Sequence, residues 1–146
     1  MVMKRLAVIC FLGVAMVSTF AVADTSPRKV FECSANQTMN FSISIEQAKG
    51  GLILYKSIVN KSPVLQRVKP QDYRVEHYHR ALVGEKSLEF SIGERVILVS
   101  EYFSEEFDEV EKILSVTLKQ SGQTQYFECK EGSMSNLALL FQESSD

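Results

Sequence analysis

Leu88-Glu-Phe-Ser-Ile92, then Gly93-Glu94, then Arg95-Val96-Ile-Leu-Val99 is the stretch that decides the fold. Leu88, Phe90 and Ile92 alternate with Glu89 and Ser91, so the apolar side chains all fall on one side of an extended chain. Gly93-Glu94 makes a two-residue turn into the apolar run Val96 to Val99, and the whole reads as a β-hairpin.

The same pattern recurs on both sides. Towards the C-terminus, Leu114, Val116 and Leu118 alternate with Ser115, Thr117 and Lys119; Ser121-Gly122 is a turn, and Gln123 to Cys129 is the last strand. Towards the N-terminus, Phe31 and Cys33 alternate with Glu32 and Ser34, and Phe41, Ile43 and Ile45 with Ser42, Ser44 and Glu46. Asn36-Gln37 lies between them as a turn, so residues 28–46 form a second hairpin. Gly50-Gly51 introduces the strand Leu52 to Tyr55, and Pro63 and Pro70 bracket a short edge strand, Val64 to Val68. Asp72 to Arg80 fits strand or helix, and Ser135 to Gln142 is a terminal turn of helix. Seven or eight strands at such intervals predict an all-β fold, a single small antiparallel β-barrel or sandwich. No repeat or linker divides residues 28–142, and the tail Glu143-Ser-Ser-Asp146 is expected to be disordered.

The 146-residue chain is 45% apolar and 23% charged, with a net charge of −2. That is one domain, neither a disordered chain nor a polytopic membrane protein. The charge gives no general attraction to nucleic acid or to an anionic membrane.

The N-terminus has its own logic. Lys4-Arg5 is a basic start, Leu6 to Phe20 an apolar run, and Ala21-Val22-Ala23 a small-x-small cleavage site, the layout of a secretory signal peptide. Residues 1–23 are expected to leave and residues 24–146 to form the mature β-domain, with no membrane attachment after cleavage. Cys10 leaves with the peptide, and the net charge falls to −4 as Lys4 and Arg5 are lost. Cys33 and Cys129 then remain as an even pair without metal-ligand spacing, which predicts one disulfide between the first and last strands. Three matches to the glycosylation acceptor pattern begin at Asn36, Asn40 and Asn60. The short basic start and the Ala-x-Ala end favour a bacterial periplasm over eukaryotic secretion.

Charge is distributed unevenly. Residues 56–80 carry a local balance of +4, and residues 101–111 carry Glu101, Glu105, Glu106, Asp108, Glu109 and Glu111 with no basic residue, a balance of −6. Tyr102, Phe103 and Phe107 are interleaved with these acids. An acidic, aromatic connection between strands fits a protein-contact surface, with Glu105, Glu106 and Phe107 as candidate contacts, because aromatic anchors supply contact energy and charges steer encounter. The competing reading is a solvated connection whose aromatics turn inward.

Little else carries chemistry. His77 and His79 would share one face of a strand, but no third ligand is in register, so no metal or other cofactor is expected. There is no G-x-S-x-G elbow, no phosphate-binding or dinucleotide fingerprint, and no assignable carboxylate pair, so no enzyme activity is expected. What remains is an exported β-domain that binds something.

The signal peptide, the Phe31-Glu-Cys33 strand, the compact β-domain and the turn Ser121-Gly122 leading to Tyr126, with Lys130-Glu-Gly132 beyond, resemble the periplasmic lysozyme inhibitors. They are also similar to immunity proteins that protect bacteria from wall-cutting toxins injected by neighbouring cells. In the inhibitors a Ser-Gly-x-x-Tyr stretch and a later Lys-Gly stretch enter the enzyme's cleft. Here the tyrosine falls one residue later, and Glu131 separates Lys130 from Gly132. The resemblance implies a protein partner, a peptidoglycan hydrolase of the muramidase type, with Ser121, Tyr126 and Lys130 as contacts. Two other classes remain open: a small-ligand-binding β-barrel and a structural envelope subunit that pairs through an exposed strand. A closed homodimer is compatible with any of them.

Overall fold

A computed structural model describes residues 26–35, 41–58 and 64–142. The signal peptide, the Asn36-Gln37 turn, Asn40 and Asn60 of the acceptor sites, and the tail from Glu143 lie outside these residues.

Ten strands are present among the described residues: β1 (Arg28–Ala35), β2 (Phe41–Ala48), β3 (Gly51–Ile58), β4 (Val64–Val68), β5 (Tyr73–Arg80), β6 (Val83–Ile92), β7 (Arg95–Ser104), β8 (Glu111–Gln120), β9 (Gln123–Glu128) and β10 (Met134–Ser135). They form two five-stranded sheets, ordered β10-β1-β2-β3-β4 and β5-β6-β7-β8-β9, with every pairing antiparallel. The sheets form a sandwich and do not close into a barrel. The expected count was seven or eight, and every stretch read as a strand is one. The ambiguous stretch from Asp72 resolves as a short 3-10 turn, Pro70–Asp72, followed by β5, and the two-residue β10 completes the first sheet.

Alternation sets the core. Phe41, Ile43 and Ile45 are buried while Ser42, Ser44 and Glu46 between them are half-buried, the pattern of a strand with one face on a core. In the second sheet Leu88 and Phe90 of β6, Ile97 and Val99 of β7, and Val116 and Leu118 of β8 form adjacent rows of one buried layer. The two layers meet face to face in one hydrophobic core drawn from both sheets.

The chain is also tied across the sandwich. Cys33 and Cys129 form a disulfide joining β1 to the end of β9. Beside it Ala35 bridges to Cys129, the Lys130 amide donates to the Ser34 carbonyl (2.8 Å), and the Ser34 amide donates to Ser133 Oγ (3.1 Å). After β10 the Asn136 amide donates to the Val30 carbonyl (2.8 Å), Leu137 is wholly buried, and the chain ends its described course in the short helix α1 (Leu139–Gln142) with Leu140 in the core. No helix among the described residues is long and apolar enough to cross a membrane.

Candidate functional site

Among the described residues, the connection between β7 and β8 carries the most exposed large apolar side chains. It leaves β7 at Ser104, whose Oγ accepts from the Glu106 amide (3.2 Å), while the Glu105 amide donates to the Leu82 carbonyl of the neighbouring β5–β6 turn (2.8 Å). A short 3-10 turn, Glu106–Asp108, follows. Phe107 and Asp108 both adopt left-handed backbone, φ 60° and 59°. For a phenylalanine this geometry costs about 1–2 kcal/mol, because Cβ crowds the following carbonyl. Phe107 gains no packing in return, being 92% exposed. Val110 (71%) and Leu82 (51%) are exposed on the same pair of connections. The acids Glu105, Glu106, Asp108 and Glu109 flank Phe107 along the chain, and all four are exposed.

The acidic run is shorter than composition implied. Glu101, Tyr102 and Phe103 belong to β7, not to the loop. Glu101 stands on the inner face, 14% exposed, with Lys86 Nζ at 3.6 Å and Lys112 Nζ at 3.9 Å. Of the three aromatics, only Phe107 is presented by the loop.

Register explains where Glu101 sits. Leu88 pairs with Val75 and Val99 in the core, and two residues further along each strand stand Lys86, His77 and Glu101. The inner face therefore continues beyond its apolar part as a charged groove that also takes in His79, Phe103 and Lys112. His77 and His79 do share one face, with ring centroids 6.3 Å apart, and Phe141 of the terminal segment lies 5.6 Å from the His77 ring. Among the described residues no group of three or more His, Cys, Asp or Glu could hold a metal ion. On the opposite face of β5, Arg74 pairs with Glu76 (3.0 Å) and Glu89 (3.1 Å), which neutralises part of the basic stretch.

The residues suggested by the inhibitor resemblance are not gathered into one loop. Ser121 occupies the β8–β9 turn at φ 51°, Tyr126 stands in mid-β9 and is 58% exposed, and Lys130 lies beyond the disulfide. From Ser121 to Lys130 these positions span about 30 Å of extended chain. β8 also separates Ser121 from the acidic loop, by about 30 Å at the strand rise.

Ser121 does border a cleft between the sheets, of about 400 Å³. Its apolar lining is Phe41 of β2, Leu118 of β8 and Phe127 of β9, the two phenylalanine rings stacked at 5.3 Å. Lys56 and Arg95 flank it, with the amides of Gln120, Gln123 and Gln125. Sequence reasoning missed this site because its residues come from five separate strands and a turn. The one readable signal was glutamine at every second position, 123 and 125, on the edge strand.

No protein-family model, no curated protein and no solved structure matches the chain. The functional reading therefore rests on the site itself.

Proposed function

We propose that the chain is a periplasmic inhibitor or immunity protein, exported by residues 1–23 and cleaved after Ala23, that binds a cell-wall-degrading muramidase and acts by occupying it rather than by catalysis. The observation that carries this reading is Phe107, a large apolar side chain held fully in solvent on strained backbone and flanked by acids. Strain kept without a packing return points to a role outside the folded chain. An exposed aromatic is a common anchor of protein interfaces, and flanking charge of one sign steers a partner of the other. An enzyme that works on the anionic cell wall presents such a basic rim. The Cys33–Cys129 bridge fits an oxidising compartment such as the periplasm. The two-sheet sandwich offers no barrel interior, which removes the support for a ligand-filled barrel.

The test is capture of a muramidase by the purified protein, followed by protection of cells from lysis. Phe107→Ala is expected to weaken binding by about 2 kcal/mol, roughly thirty-fold. Glu105→Lys with Glu106→Lys is expected to slow association and flatten its salt dependence. Failure to bind any wall hydrolase would overturn the proposal. Unchanged association kinetics in the charge-reversed protein would remove the loop from the interface.

A further inference from the structure

The cleft between the sheets has a chemistry of its own, independent of the acidic loop. In a chain whose net charge is negative, the described residues that line it include two cations and no acid. Arg95 is oriented by an uncharged partner: its Nε and Nη2 both donate to Gln120 Oε1, at 3.1 and 2.9 Å. A carboxylate in that place would cancel the charge, whereas an amide fixes the guanidinium and leaves its charge in force. Lys56 Nζ stands 5.6 Å from the centre of the Phe41 ring, whose neighbour is the stacked Phe127. Beneath the cations the lining is apolar, with Leu118 beside the two phenylalanines. Gln123 and Gln125 add neutral donors and acceptors on the β9 side.

We infer that this cleft binds a small amphipathic anion, an alkyl or aryl carboxylate, with the apolar part against Phe41, Leu118 and Phe127 and the head group between Arg95 and Lys56. The volume of about 400 Å³ lies within the range of small-molecule sites. An apolar floor alone would accept neutral and charged ligands alike. The flanking cations make charge the discriminating property, because charge-assisted hydrogen bonds are the strong ones.

The experiment uses the purified protein and anilinonaphthalene sulfonate, an aromatic anion that fluoresces when its surroundings are apolar. Saturable single-site enhancement is expected, displaced by decanoate roughly ten-fold more effectively than by decanol. Arg95→Gln and Lys56→Gln should each weaken the probe roughly ten-fold with unchanged urea midpoints, while Glu105→Lys leaves it unaltered. Amide shifts induced by decanoate should concentrate at Gln123, Gln125 and Phe127. Equal displacement by decanoate and decanol, insensitivity to both cation substitutions, shifts centred on Phe107, or no saturable signal would each overturn the inference. Because the muramidase reading is tested through Phe107 and the acids, the two can fail separately.

Discussion

Phe107 and Gly51 occupy unusual backbone for opposite reasons. Gly51 has φ 134°, and a Cβ placed there would stand 2.1 Å from the Val68 carbonyl oxygen, so β4 could not lie against β3. Gly50, beside it at φ 90°, has open space where its Cβ would be. Gly51→Ala is therefore expected to cost about 2–4 kcal/mol, and Gly50→Ala about 1–2 kcal/mol from backbone strain alone, a difference measurable in thermal unfolding. At Phe107 the structure tolerates strain that a different residue would relieve. Asparagine accepts left-handed backbone readily, and the ring it replaces is out of the core. Phe107→Asn should raise stability by about 1 kcal/mol in urea unfolding while binding of the proposed muramidase partner falls, the divergence expected of a residue kept for contact.

At the scale of elements, the strands that bury one face were the plainest to read, while turn residues and prolines marked the exposed edge strands Val64–Val68 and Gln123–Glu128. Phe41-Ser-Ile-Ser-Ile45 and Leu88-Glu-Phe-Ser-Ile92 contrast apolar with polar at every step, and both are strands where expected. In β5 the run His77-Tyr78-His79 offers no such contrast, because this edge strand extends past the apolar core and exposes both faces there. The acidic stretch misled for a related reason. Composition counts Glu101 with the loop acids, and only cross-strand register reveals that it faces Lys86 and Lys112. The cleft was hidden more deeply, since no local pattern can bring Lys56 and Gln125 to the lining of one cleft. The C-terminal element was legible in part: the helical turn expected over Ser135 to Gln142 is confined to Leu139–Gln142, and Ser135 instead belongs to β10, paired with Phe31 of β1. Its anchoring can be tested. Leu137 is wholly buried, so Leu137→Ala should cost about 2–5 kcal/mol. It should also release Phe141 from the imidazole of His77, seen as a change in the His77 ring resonances.

For the whole molecule, the decisive tie is between sequence-distant parts. The first sheet takes β1 to β4 and then waits for β10, so the chain builds the entire second sheet before finishing the first. The disulfide spans a separation of 96 residues at that return. In the chain-entropy description, closing a loop of this size restricts the unfolded chain by about 4–5 kcal/mol. Cys33→Ala with Cys129→Ala should lose about that much stability, read as a lower urea midpoint that no longer responds to reductant. A double variant equal in stability to the oxidised protein would show that the bridging hydrogen bonds suffice.

The bridge also imposes an order in time. A ribosome delivers Cys33 first and Cys129 roughly 5–20 s later, at ordinary rates of synthesis. Through that interval the earlier thiol has only Cys10 as a partner within its own chain. Oxidation to the native pairing is thus a certificate of completeness, available only to a polypeptide that has been made as far as its last long strand. A product truncated before Cys129 and freed of residues 1–23 keeps Cys33 as an unpaired thiol, by which a thiol-specific reagent would distinguish unfinished molecules from finished ones.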